Sequence, residues 1–241
     1  MQSKPYGFVL GTLIHTPEGT RQIETIRPGD LVMSSAAGLD SKATPRRVLD
    51  VQTFPLVEIW HVMVQSLRVE ESGAEEGYVL LSPHQPLGVM GKHDFESHHN
   101  LWAEMNVLPM QEYLGHPVDG WLLASDLYDS AGIVLCTFDR VGVDVFGSEP
   151  LFAMQNSDWA WGSHDSVEVP IGRAYDLRGN QPIRLNDATN DLDLDEISEE
   201  DIASWGIYPS FRRTIYSLSV EGENSYFVGK LGFLVQGLGE T

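Results

Sequence analysis

Short apolar runs that are cut off by glycine or proline recur along the whole chain, and this pattern limits the fold more than any other feature. GFVLGTLIHT, which starts at Gly7, and LVMSS, which starts at Leu31, are two such runs. Runs of this kind are typical of β-strands joined by tight turns. The 23 glycines and 13 prolines supply the turn residues. The sequence therefore predicts a mainly β protein.

Individual strands and short helices can be placed on this pattern. Residues 57–64 alternate along the chain, which predicts one strand with two distinct faces. The polar stretch ESGAEEG predicts a hairpin into YVLLSPHQPLGVM, and EGENS separates two further strands near the end. A short helical turn is expected before Pro28-Gly29-Asp30 and another around 124–127.

The charge balance limits the partners of the chain. It has 241 residues, with 35 acidic and 15 basic side chains and a net charge of −20. Nucleic acid requires a cationic surface, so this balance disfavours it as a partner. It would instead steer another protein with a basic surface toward the chain.

Cysteine content and hydropathy bear on the compartment. Cys136 is the single cysteine, so an internal disulfide is excluded, and its apolar surroundings predict a buried side chain. No apolar run reaches the length of a membrane span, and MQSKPYGFVL lacks the form of a signal peptide. We expect no membrane association and a cytoplasmic location, with export independent of a signal peptide left open.

The least patterned part of the chain is the stretch 140–210, which includes the acidic run NDATNDLDLDEISEED. Its alternate aspartates have the spacing of a calcium loop, but Glu196 stands where a glycine is required and Ile202 where a glutamate is required. An irregular acidic loop leading into a short helix is the favoured interpretation. We predict that it forms a binding surface through Asp191, Asp193, Asp195, Glu196, Glu199 and Glu200.

Two tryptophans in the same stretch are further binding candidates. Trp159 and Trp161 can stack on a ligand or partner, or cap the edge of a core as amphipathic aromatics. The histidines His93, His98 and His99 have no cysteine beside them and fit no standard zinc spacing. We expect no metal and no cofactor.

Four blocks in fixed order carry a family resemblance. The first is Gly7-Phe8-Val9-Leu10-Gly11-Thr12, followed by Gly19, Ile23-Glu24, Ile26, Gly29-Asp30, Val32 and Ser34. The second is Ser82-Pro83-His84-Gln85-Pro86-Leu87, and the third is Gly120-Trp121 followed by Ala124-Ser125-Asp126-Leu127. The last runs from Ile215-Tyr216 through Ser225-Tyr226-Phe227-Val228-Gly229 to Leu234-Val235-Gln236-Gly237. Together they resemble the Hint domains of inteins, Hedgehog autoprocessing proteins and bacterial pretoxin autoproteases.

The resemblance implies a fold. It is a horseshoe-shaped, pseudo-symmetric β fold with short helices, formed by residues 1–241 as a single domain. The stretch 140–210 would be an irregular acidic insertion within that domain.

The resemblance also implies which positions should carry the chemistry, and all of them are substituted. A Cys or Ser nucleophile belongs where Gly7 stands, and Gly7 has no side chain with which to attack. The second block should pair a Thr with a His, and its alignment puts Ser82 and Gln85 there, with His84 one residue away as the fallback acid. The final His-Asn pair, which supports cyclisation of the Asn, is replaced by Gln236-Gly237.

The prediction that follows is a catalytically inactive Hint-like protein that binds another protein, in a bacterial toxin or secretion system. Two alternatives are left open: an active autoprotease that uses off-pattern residues such as His84, and a structural spacer in a larger toxin polypeptide. A sequence altered in order to block self-cleavage would show substitutions at the same positions.

Overall fold

The structure is a computed structural model that describes residues 4–36, 42–70, 73–92, 120–127, 133–153, 159–164, 171–176, 183–184 and 210–239. Within these ranges the chain forms seventeen strands and two short 3₁₀ helices, Ile23–Thr25 and Ala124–Leu127. The predicted mainly β fold with short helices is confirmed. The strands are β1 (Phe8–Val9), β2 (Leu13–Thr16), β3 (Gly19–Gln22), β4 (Leu31–Ser34), β5 (Thr44–Glu58), β6 (Trp60–Glu70), β7 (Gly73–Leu81), β8 (Pro86–Lys92), β9 (Gly120–Leu123), β10 (Ile133–Leu135), β11 (Val143–Ala153), β12 (Trp159–His164), β13 (Ile171–Asp176), β14 (Ile183–Arg184), β15 (Arg212–Val220), β16 (Ser225–Val228) and β17 (Phe233–Gln236).

Antiparallel pairing joins these strands into one curled sheet. The long strands β5 and β15 pair with each other, and β6 pairs with both β7 and β11. The short first strand β1 lies between β15 and β7, with Phe8 opposite Tyr216 on one side and Leu81 on the other. Near the end of the chain, β17 pairs with β16 and with β8. The first, second and last sequence blocks therefore meet in the middle of the sheet.

The main hydrophobic core fills the inside of the curl. Phe8 and Tyr226 lie at its centre, where their rings meet edge to face with centroids 6.2 Å apart. A pair with this geometry contributes about 0.5–1.5 kcal/mol beyond its buried area. Since Phe8 adjoins Gly7 and Tyr226 lies on β16, the core fixes the first block against the last.

One predicted strand is in fact two. The alternating residues 57–64 were expected to form one strand, but β5 ends at Glu58 and β6 begins at Trp60. Between them, the Ile59 amide donates to the Phe211 carbonyl and the Ile59 carbonyl accepts from Leu151. The prediction of one continuous strand is wrong because Ile59 pairs with segments that are distant in sequence.

Cys136 is buried, as its apolar surroundings predict. The predicted helical turn at 124–127 is the second 3₁₀ helix, and the EGENS turn lies between β15 and β16. The stretch 140–210 contains β11 to β14 in its described part, and β11 pairs with β6 in the main sheet. Val143 of β11 lies opposite Ser66 of β6, and no local pattern reveals a pairing over that distance in sequence.

Candidate functional site

The site predicted from the sequence lies where β1 enters the sheet. The Ser82 amide donates a hydrogen bond to the Gly7 carbonyl at 2.9 Å, which ties the first block to the second. Across the strand, Gly7 faces Tyr216 and Ser217 of β15. All of these positions are set by the pairing of β1 with its two neighbours.

Gly7 occupies a place that only glycine fits. It is buried, and its φ of +150° lies in the region that other residues seldom adopt. A Cβ atom added to it would overlap the Tyr216 carbonyl oxygen and lie 2.8 Å from the carbonyl carbon. The position therefore has no room for the thiol or hydroxyl that the family chemistry needs.

Gln85 connects the second block to the last. It is fully buried, and its Nε2 donates to the Gln236 carbonyl oxygen at 2.8 Å and to the Pro86 carbonyl oxygen at 3.0 Å. A carboxamide donates hydrogen bonds without titrating near neutral pH, so Gln85 is suited to hold the last block and unsuited to protonate a leaving amine.

Ser82 holds the segment that precedes Gly7. Its Oγ donates to the Pro5 carbonyl oxygen at 3.0 Å and accepts from the His84 amide at 3.2 Å. Ser82 is fully buried. Its hydroxyl therefore fixes the backbone that precedes Gly7 and the backbone of the second block itself.

His84 lies among charged groups. Burial lowers the pKa of His84, and the positive charge of Lys4 lowers it further, while Glu58 and Asp126 act in the opposite direction. Of the two neighbours His84 and Gln85, it is Gln85 whose side chain hydrogen-bonds the Gln236 carbonyl. The fallback acid His84 therefore lies within the electrostatic influence of Lys4, Glu58 and Asp126.

Gly237 is enclosed as tightly as Gly7. Its carbonyl oxygen accepts from Tyr6 Oη at 2.9 Å and from Asn224 Nδ2 at 2.8 Å, and its amide donates to the Asn224 carbonyl at 2.6 Å. An added Cβ would lie 2.5 Å from the Leu218 carbonyl oxygen. The last block therefore ends in a fixed backbone position without room for an asparagine side chain.

The first, second and last blocks meet around Gly7, Gln85 and Gly237, and we call this place the junction. Sequence reasoning missed four residues there: Tyr6, Ser217, Asn224 and Tyr226. Asn224 has a φ of +48° in the turn between β15 and β16, a conformation in which asparagine is enriched, so turn chemistry offered a signal for it. Burial raises the pKa of Tyr6, and it raises the pKa of Tyr226 further above the ordinary range. Both phenols are therefore protonated at pH 7, and Tyr6 Oη donates to the Gly237 carbonyl.

The remaining binding candidates are placed only in part. Trp159 and Trp161 lie on β12, where Trp161 is opposite Phe152 on β11 and Ala174 on β13. His93, His98 and His99 lie outside the described residues. The acidic candidates also lie outside them: Asp191, Asp193, Asp195, Glu196, Glu199 and Glu200.

Two absences hold for the part of the chain that the structure describes. In those ranges, no three His, Cys, Asp or Glu side chains are grouped so that they could hold a metal ion. The same ranges contain no helix with the length and hydropathy needed to cross a membrane.

Comparison with solved structures identifies the architecture. The solution structure of a bacterial intein-like domain from Clostridium thermocellum has a TM-score of 0.50 and 14% identity, and the alignment covers 97% of this chain and 100% of that one. The chain has the Hint fold. The resemblance found in the four sequence blocks is thereby confirmed at the level of the fold.

Two inteins give similar alignments of this Hint fold. The gp41-1 intein matches with a TM-score of 0.45 and 11% identity over 97% of this chain and 100% of its own. The Ssp DnaB mini-intein variant M86 matches with a TM-score of 0.47 and 8% identity over 100% and 99%. No protein-family model matches the sequence, and no curated protein matches it.

Proposed function

We propose that this chain is a catalytically silent Hint-type module that acts by binding another protein. The observation that carries the proposal is the backbone at Gly7, which is enclosed by Tyr216 and leaves no space for a nucleophile. A domain that had lost only its nucleophile would keep the space for it. Here the space is filled, so the fold is suited to a role without the reaction.

The other two chemical positions support the same proposal. Gln85 uses its amide to hold the Gln236 carbonyl, and Gly237 is fixed by Tyr6 and Asn224. Each of these contacts fixes a backbone carbonyl of the last block and supplies neither a nucleophile nor a titrating acid. The resemblance to bacterial pretoxin domains favours a toxin or secretion system as the setting.

The first prediction tests silence directly. A fusion of the chain to a C-terminal reporter domain should keep its full intact mass for several days at neutral pH, because Gly7 offers no nucleophile and Gln85 does not titrate. Intact-mass spectrometry is the measurement. Release of the reporter would support the alternative of an autoprotease that works through His84 or another off-pattern residue.

The second prediction concerns the partner. We propose that a protein with a basic surface binds the acidic candidates, since opposite charges steer association. Deleting residues 186–201, or neutralising the six acids, should weaken capture of that protein and reduce its dependence on salt. The measurement is quantitative pull-down of one identified partner, with the substitutions Asp191→Asn, Asp193→Asn, Asp195→Asn, Glu196→Gln, Glu199→Gln and Glu200→Gln.

A matched control separates the effect of the acids in 186–201 from the effect of the net charge of the chain. Glu18, Glu221 and Glu223 are exposed acids of the described chain, and changing them to Gln removes charge elsewhere. The control variant should bind as the wild type does. Unchanged binding after deletion of 186–201 would eliminate the acidic stretch as the binding surface.

A further inference from the structure

Three buried polar atoms at the junction make no hydrogen bond within the part of the chain that the structure describes. They are Gln85 Oε1, Ser217 Oγ and Tyr226 Oη. All three residues are fully buried, with a relative exposure of 0%. Buried polar atoms are almost always satisfied in native proteins, because leaving one unsatisfied is costly. Each of these atoms therefore requires a partner.

The three atoms border one small region. Ser217 Cβ lies 3.2 Å from the position that a Cβ on Gly7 would occupy, and the next residue, Leu218, presses its carbonyl against Gly237. The Tyr226 hydroxyl lies beside the Ser217 side chain and the backbone amide of Leu218, without a hydrogen bond of normal geometry.

Gln85 completes the boundary of this region. Its Nε2 lies on the carbonyl oxygen of Gln236, directly before Gly237, and its amide donates to the Ser82 carbonyl. Ser82 in turn hydrogen-bonds the Gly7 carbonyl. These contacts form a closed ring. Gly7 contacts β15, β15 contacts the last block, the last block is bonded to Gln85 of the second block, and Ser82 of the second block is bonded to Gly7.

The needs of the three atoms are complementary. Both neighbours of the Gln85 amide nitrogen are carbonyl oxygens, so the nitrogen is assigned by its partners and Oε1 is left as an acceptor. Ser217 and Tyr226 each carry an O–H that can donate. The site thus presents one acceptor and two donors, and all of them are uncharged.

We propose that one buried water molecule occupies this region and bridges Gln85 Oε1, Ser217 Oγ and Tyr226 Oη. Buried waters typically make about three hydrogen bonds to otherwise unsatisfied groups, which is the number offered here. An ion is unsuited, because none of the three groups is charged. The water links β15, β16 and the loop after β7, and it binds beside Gly7, where the family places a reactive side chain.

The direct test is a high-resolution crystal structure of the full chain. The expected result is an ordered water within about 2.6–3.2 Å of at least two of the three atoms. The proposal would be overturned by a structure without an ordered water among the three atoms. In that structure Tyr226 would pair directly with Ser217, and Gln85 Oε1 would accept from another protein group.

A double-mutant cycle gives an independent test in solution. Gln85→Met and Tyr226→Phe are made singly and together, and the urea midpoint of each variant is measured. A shared water makes the two losses non-additive, because the first substitution already weakens the bridge. Additive shifts of the midpoint would show that Gln85 and Tyr226 have no common partner, which excludes the bridge.

Ser217→Ala combined with Tyr226→Phe is the matched reference cycle. Coupling in this pair alone indicates a direct hydrogen bond and counts against the water. Coupling in both pairs supports it. If Gln85→Met fails to fold, the crystal structure decides, since Gln85→Glu would keep the acceptor that the water uses.

Discussion

At the scale of single residues, two glycines leave no space for the reactive side chains of the family at the junction. Gly7 and Gly237 each lie where an added side chain would meet a backbone carbonyl, of Tyr216 in one case and Leu218 in the other. A lost side chain alone would leave a cavity, whereas here the backbone of β15 has closed over both positions. The substitutions are therefore built into the packing of the sheet.

The third prediction follows from Gly7. Gly7→Cys should restore no cleavage and should lower the free energy of unfolding by more than the about 1–3 kcal/mol typical of a strained backbone conformation, because overlap with Tyr216 adds to the strain. Urea denaturation and intact-mass spectrometry are the measurements.

Gly19 provides the matched control for this substitution. Its φ is +124°, also in the glycine region, but nothing lies within 4 Å of an added Cβ. Gly19→Cys should therefore cost only the backbone strain. Equal losses in the two variants would show that the space beside Gly7 is open, and cleavage by Gly7→Cys would show that the junction is still competent.

The sequence predicts which blocks meet at the junction, but it does not predict the hydrogen bonds between residues that are far apart in the chain. Aligning the second block on Pro83 and Pro86 brings Gln85 to the last block, and Gln85 Nε2 is found on the Gln236 carbonyl. The bond from Tyr6 to Gly237 joins residues 231 positions apart, so no local pattern predicts it. Contacts of this kind depend on the completed sheet.

At the scale of elements, local signals predicted strands and turns well where each strand pairs with a neighbour in sequence. The hairpin of β6 and β7 and the turn between β15 and β16 are of this type. The break at Ile59 and the pairing of β11 with β6 were missed because the partners are far apart in the sequence. The strand propensity of a segment depends on its own residues, whereas the point at which a strand is interrupted depends on the segments that pair with it.

The fourth prediction concerns the contact between β2 and the turn that leads to β17. His15 Nε2 donates to the Gly229 carbonyl at 2.9 Å, and its ring packs against Phe138 with centroids 5.3 Å apart. Burial lowers the pKa of His15, so the unfolded chain binds a proton more readily than the folded one. Stability should therefore fall as the pH drops below about 6.5, the ordinary value for histidine.

Comparing two proteins isolates this effect. The urea midpoint is measured between pH 7.5 and pH 5 for the wild type and for His15→Gln, which keeps a donor and does not titrate. The wild type should lose more stability on acidification, since the two proteins differ only at residue 15. Parallel pH profiles would show that His15 does not contribute to acid sensitivity.

At the scale of the whole molecule, charge opposes the fold. The net charge of −20 on 241 residues means that the folded chain concentrates acidic groups that repel one another. The sequence alone predicts this property, because it is a count of side chains. It also predicts the Hint fold through the four blocks.

The fifth prediction is that salt stabilises the protein. Raising sodium chloride from low to moderate concentration should raise the urea midpoint, because screening shortens the range of the repulsion between acidic groups. A variant in which exposed acids such as Glu18, Glu221 and Glu223 are changed to Gln should respond less. A midpoint that falls as salt is added would show that attractive ion pairs outweigh the repulsion.

The hydrogen bond from Tyr6 to Gly237 also has a mechanical meaning. Its two ends are 2.9 Å apart in space and 231 residues apart along the chain. A polypeptide that entered at Lys4 and left at Gly239 would gain the mass of a folded domain and almost no length. Pulling on such a polypeptide would load this hydrogen bond together with those from Ser82 to Pro5 and from Leu238 to Leu218, before the strands of the sheet separate.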